Sequence, residues 1–196
     1  VGPEVWRPRP RGATPKSVTP LHLYDLRTEF GGPSPELGGY QRRRLEEITE
    51  YTIHHLGGDN YLNDVTWEET LQAVWDWQVG HNGWPGVAYA FIVRPDMEEI
   101  AWVGSFDTIR YHAGGAKHPV YGVGVNNVNG LAICIAGKYM GKDPDAKTLA
   151  RVNRLIAFID PLLPAQPRRI VGHQEVSATD CPGDGFLPRW KGDLHT

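Results

Sequence analysis

The chain has 196 residues, enough for one domain with a full core and short for two. It is 40% hydrophobic and 22% charged with a net charge of −3, which excludes a general electrostatic affinity for nucleic acid. No apolar run is long enough to span a membrane, and 23 glycines with 16 prolines argue for a sheet protein with long connections rather than a helical bundle.

Residues 1–20 are rich in proline and arginine without periodicity and read as an extended arm. No leader-like apolar stretch stands in Val1 to Arg11. Residues 1–44 carry eight Lys/Arg against four Asp/Glu, a solvated basic surface that an anionic cell wall would attract. Leu21, Leu23, Leu26 and Phe30 are too few for a separate core, so 1–44 is expected to be an extension packed on a domain spanning 45–196. Tyr51 to Leu56, rich in β-formers and closed by Gly57-Gly58, predicts a buried strand and a turn. Thr66 and Glu69 form a capping box, and Trp67, Leu71, Val74 and Trp75 then stripe one face of a helix ending near Gly80.

Val87 to Val93 predicts the next strand, with Glu99 to Val103 as its hairpin partner. Leu131 to Gly137 is continuously apolar, as in a central strand covered on both faces. Asp143-Pro144 suits an N-cap and first helical residue. Leu149, Val152, Leu155, Ile156 and Ile159 stripe the helix that follows, and Pro161 and Pro164 end it. Arg169 to Gly172 is the last strand. The expected fold is α/β: a single domain with a mixed central sheet flanked by helices, few long crossovers, and the N-terminal arm.

Two cysteines, Cys134 and Cys181, allow at most one bridge and define no disulfide framework. Among eight histidines, His54 and His55 end a strand, His112 follows one, and His173 directly follows the last strand, eight residues before Cys181. Imidazole nitrogen and thiolate both suit zinc, and three protein ligands leave a fourth position open. Such an ion acidifies a bound water and polarises a carbonyl. Strand alternation lets only one of His54 and His55 face a given ion. The residues alone support a His/His/Cys zinc site and also a structural role for each side chain.

Five segments, in order, carry a resemblance: Ile53-His54-His55, Gly83-Trp84 through Tyr89, Tyr111-His112-Ala113, Asn129 to Gly137, and Gly172-His173-Gln174-Glu175-Val176 continuing to Cys181-Pro182. Over about residues 45–190 the chain resembles the type-2 N-acetylmuramoyl-L-alanine amidases. That family spans phage endolysins, bacterial cell-wall amidases and animal peptidoglycan recognition proteins. The lead-in, Asp25-Leu26-Arg27 and Tyr40 with Arg42-Arg43-Arg44, resembles that of some phage-type and related bacterial members.

The resemblance implies one Zn²⁺ per chain on His54, His173 and Cys181, with Tyr89 and Thr179 as catalytic residues. It makes Trp84, His112 and Asn127 candidates for the substrate groove. It implies hydrolysis of the amide between muramic acid and L-alanine, and peptidoglycan as the partner. The setting would be the bacterial cell wall, reached as a secreted or phage-encoded enzyme that is monomeric and not inserted in membrane. Three positions depart from common family patterns: Ala90 stands where many members have histidine, Thr179 where some have lysine, and Cys134 where one branch has glutamate. The rival readings are a non-catalytic muropeptide-binding module and a structural zinc site with His112 as fourth ligand.

Overall fold

The computed structural model describes residues 21–60 and 62–196; the predicted arm over 1–20 lies outside the described residues. Strands β1 (Leu23–Asp25), β2 (Glu50–His55), β3 (Phe91–Val93), β4 (Ile100–Trp102), β5 (Gly130–Ile135) and β6 (Arg169–Gly172) form one sheet in the order β1-β4-β3-β5-β2-β6. The helices are α1 (Arg27–Phe30), α2 (Trp67–Trp75), α3 (Val125–Asn129), α4 (Ala146–Ile159) and α5 (His173–Val176).

The single α/β domain with a mixed, helix-flanked sheet is the architecture expected. The connectivity differs from the expectation of few long crossovers. The pairs β1–β4, β2–β5, β2–β6 and β3–β5 are parallel, and only β3–β4 is antiparallel. Parallel neighbours require crossovers, and α2 and α4 supply two of them.

Strand alternation divides the core in two. Tyr51, Ile53, Phe91, Val93, Leu131, Ile133 and Ile135 face one side, where they pack with Leu149, Val152, Leu155, Ile156 and Ile159 of α4. Ile92, Ala101 and Cys134 face the other, against Trp67, Leu71 and Val74 of α2. Burying a leucine- or valine-sized side chain is worth about 1.5–3 kcal/mol, so these two stripes hold both helices to the sheet. β5, central and buried at every position, matches its continuous apolar run.

The capping box opens α2 as expected: Glu69 N donates to Thr66 Oγ1 at 3.2 Å, and Thr66 N donates to Glu69 Oε2 at 2.7 Å. α2 then widens into a π-helical stretch, Asp76–His81. The start of α4 corrects the expected cap. Asp145, not Asp143, accepts from Thr148 N at 2.6 Å, whereas Asp143 pairs with Arg189. The strand expected over Val87–Val93 is also shorter, because its first half bonds elsewhere. Val87 N donates to Phe30 O, Ala88 N donates to Gln78 Oε1, and the Val87 carbonyl accepts from the Arg110 guanidinium.

The lead-in before residue 45 contributes the edge strand β1, paired with β4. It also places two buried side chains deep in the domain. Tyr40 Oη donates to the Gly86 carbonyl at 2.7 Å. Arg43 donates to the carbonyls of Phe106, Asn127, Val128 and Gly130 at 3.0, 3.2, 2.5 and 2.8 Å. Among the described residues, no helix is long and apolar enough to cross a membrane.

Candidate metal centre

His54 lies near the carboxyl end of β2, on the α2 side of the sheet, because its neighbour Ile53 faces the α4 core. Register brings the next group alongside. Ile53 pairs with Gly172 at the end of β6, so His173, the first residue of α5, follows directly beside His54. Their ring centroids are 4.5 Å apart. Parallel strands commonly present ligand-binding groups at their carboxyl ends. Cys181 returns on the loop after α5, where the His55 backbone N–H donates to its sulfur at 3.3 Å.

The ligand atoms of His54, His173 and Cys181 all lie within 4.8 Å of one another. A tetrahedral zinc with bonds of about 2.0 Å to nitrogen and about 2.3 Å to sulfur sets those atoms about 3.6 Å apart. His54 Nδ1 and Cys181 Sγ are separated by 3.7 Å, so the donor set fits the ion in type and this pair fits it in spacing. His55 turns away, its Nδ1 accepting from the Tyr139 backbone N–H, as alternation required. Both cysteines are free, so the thiol is available.

The electrostatics favour a cation. Burial lowers His54 well below the ordinary imidazole value, with His112 and His173 adding to the effect. Burial, with His55 behind it, takes His173 down to about 4, and burial pushes the Cys181 thiol up to about 12. The imidazoles are thus neutral lone-pair donors at neutral pH. The thiol keeps its proton until a divalent charge displaces it.

These residues line a cleft of about 240 Å³ with Leu56, Trp84, Ala88, Tyr89, His112 and Thr179. No carboxylate or lysine is among its lining residues. Tyr89 stands with its ring centroid 5.4 Å from that of His54. Burial raises its phenol far above the ordinary value, helped by Cys134 and Cys181, so the hydroxyl keeps its proton and is a donor. Thr179 is exposed at the rim, its Oγ1 accepting from the Cys181 backbone N–H at 3.2 Å. Trp84 is half-buried and forms a wall shared with a second hollow that Trp77, Gln78 and Asn82 also line.

The other candidates sit deeper. His112 is 6% exposed beneath His54 and meets its far nitrogen, Nε2, at 3.0 Å. That position is remote from the Cys181 side of the ring, so His112 does not complete a four-ligand site. Asn127 is buried outside the cleft lining, and its Oδ1 accepts from the Ala113 N–H at 2.7 Å, tying down the loop that carries His112. Ala90 packs in the α4 core, so the departure from histidine there does not touch the cleft. Cys134 pairs in register with His54 and is wholly buried beside Tyr89.

Gln78, missed by sequence reasoning, reaches this site from the π-helical stretch. Its amide oxygen takes the Ala88 N–H, and the side chain lines one hollow together with Tyr89. Its signal was a lone polar residue at i+4 from Val74, continuing the apolar stripe of α2.

A family model described as N-acetylmuramoyl-L-alanine amidase matches residues 44–184. Peptidoglycan recognition protein 1 of Bos indicus is 24% identical over 152 residues, which is 72% of this chain and 70% of that protein. The structure of bumblebee peptidoglycan recognition protein SA superposes with a TM-score of 0.70 at 18% identity, covering 87% of this chain and 94% of that one. The N-acetylmuramoyl-L-alanine amidase LysC of Clostridium intestinale superposes with a TM-score of 0.60 at 17% identity, covering 90% of this chain and 100% of that one. At these identities the superpositions speak for the fold.

Proposed function

Because the chain belongs to the N-acetylmuramoyl-L-alanine amidase family, we propose that it is a zinc-dependent amidase cleaving the bond between muramic acid and L-alanine in peptidoglycan. The observation that carries this reading is the His54–His173–Cys181 cluster, three ligands of zinc type at the foot of an open cleft. Three ligands rather than four is the pattern of catalytic zinc, which needs an open position.

His54, through Nδ1, His173 and the Cys181 thiolate would hold the ion. When bound, zinc supplies an acidified water and a Lewis acid for the amide carbonyl. The chain's own groups do the rest. Tyr89 donates its retained phenolic proton to the oxygen of the carbonyl under attack, where negative charge develops. Thr179, bonded to the Cys181 backbone at the rim, adds a hydroxyl on the same side. Trp84 provides a flat apolar wall for the substrate flanking the reacting bond. Peptidoglycan is the partner, and the cleft needs no membrane insertion to reach it.

Tyr89→Phe tests the donor. Loss of one oxyanion donor typically costs about 10²–10³ in kcat, so the variant should bind zinc normally and turn over about that much more slowly. Unchanged kcat would remove Tyr89 from the chemistry.

The function itself is tested by incubating the protein with purified peptidoglycan and assaying released stem peptides. Release should stop with a chelator and return with zinc. No release under any metal condition, with binding to the polymer retained, would favour a muropeptide-recognition module instead.

A further inference from the structure

His54 has two ring nitrogens and only one can carry the proton if the other is to bind a metal. Its Nδ1 faces Cys181 at 3.7 Å, and its Nε2 faces His112 Nδ1 at 3.0 Å, with the two rings nearly perpendicular at 88°. One proton lies between the two histidines. If His54 Nε2–H donates, Nδ1 is bare toward Cys181 and His173. If His112 Nδ1–H donates, the His54 proton sits on Nδ1 and blocks ligation.

Ligation through Nδ1, the nitrogen that faces Cys181, requires the first arrangement, and the packing around His112 fixes the acceptor in place. The ring is seated against Gly130, where an added Cβ would lie 2.8 Å from His112 Cε1, so only glycine leaves room for it. His112 N donates to the Arg110 carbonyl and Ala113 N to Asn127 Oδ1, so the backbone on both sides of the ring is anchored.

We propose that His112 is a positioning residue for the metal centre: by accepting the His54 Nε2 proton, it holds the His54 imidazole in the tautomer and orientation that present Nδ1 to the ion. This rests on the zinc reading of His54, His173 and Cys181. Outer-shell partners of this kind orient the ligand and raise its basicity, and their loss typically weakens metal affinity about 10–100-fold.

The test reads zinc affinity and tautomer, not turnover. In His112→Phe the ring volume stays and the acceptor is lost; zinc affinity, by competition with a chromophoric chelator, should fall about 10–100-fold. In His112→Asn, Oδ1 can take the place of Nδ1, and affinity should recover to within about threefold of the parent. Two-bond ¹⁵N–¹H spectra of histidine-labelled parent protein should show His54 protonated at Nε2, with and without zinc. Parental affinity in His112→Phe, or a His54 proton on Nδ1 in the metal-free parent, would overturn the proposal while leaving the amidase reading intact. Absence of zinc binding by the parent would instead overturn the metal centre on which both depend. Should His112→Phe fail to fold, the parent's spectra decide alone.

Discussion

Cys181→Ser is expected to abolish amidase activity and to weaken zinc binding by more than the roughly 100-fold that loss of an outer-shell contact costs. Thiolate is the soft, charged member of the triad, and it alone cancels part of the ion's charge. A serine hydroxyl stays protonated and neutral, and the two remaining ligands, His54 and His173, are neutral imidazoles. Two neutral nitrogens in a buried pocket cannot balance a divalent cation as well as a thiolate can. The substitution is nearly isosteric, so the His55 N–H that now faces sulfur keeps an acceptor and the fold should persist. Zinc titration by calorimetry, the melting curve and the stem-peptide assay together check this. Activity retained at the parental zinc dependence would show that Cys181 is not a ligand. Polymer binding should survive in part, since Trp84 and Tyr89 are untouched.

Arg43→Met should be the most damaging substitution outside the metal site. The guanidinium is buried and is shared among four backbone carbonyls, three of them from the end of α3 and the start of β5. Burial takes Arg43 down to about 9, which still leaves it charged at neutral pH. Methionine fills the space but donates nothing, leaving the carbonyls of Asn127, Val128 and Gly130 dependent on whatever local relaxation can find. Each unsatisfied buried acceptor costs about 1–3 kcal/mol, and removing the guanidinium also removes an unfavourable buried charge. A net loss of about 3–5 kcal/mol is expected, a large fraction of ordinary domain stability. For a chain of this size that lowers Tm by roughly 10–15 °C. Its neighbour is the control. The Arg42 side chain is 61% exposed and, among the described residues, its ion pair is with Asp107 at the surface, so Arg42→Met should change stability by no more than about 0.5 kcal/mol. Equal melting temperatures for the two variants would refute the assignment.

That contrast within Arg42-Arg43-Arg44 marks where sequence reading stopped. As a run of charge it reads as a solvated face. Alternation along an irregular segment turned only the middle residue inward, mainly against the junction of α3 and β5, more than eighty residues away in the chain. Gln78 is a similar case. A glutamine continuing an apolar helical stripe is an anomaly that can be seen, yet its purpose depends on Ala88 and Tyr89 being folded back over it.

The candidate metal ligands were more legible. Strand periodicity separated His54 from His55, and β2 obeys it: His54 joins the triad while His55 turns to Tyr139. The elements with strong local signals also formed as read, among them the Thr66–Glu69 capping box, the α4 stripe and the β6 span. Where the reading of local structure failed, a long-range partner had won. Asp143 was drawn from its expected cap by Arg189, and Val87 and Ala88 gave their backbone groups to Arg110, Phe30 and Gln78.

By itself, then, the sequence determined most of the elements, because periodicity and caps are properties of residues near one another in the chain, and its ordered motifs pointed to the family and to three candidate ligands. Only the tertiary structure decided the parallel pairing, the inward turn of Arg43 and the place of His112. His112 read as a groove residue because Tyr111-His112-Ala113 resembles a family segment beside the substrate groove. Its contact with His54 spans 58 residues and exists only once β5, with a glycine at its start, leaves room for the ring. Hydrogen bonds of that range are set by how the layers pack, and no local pattern encodes them.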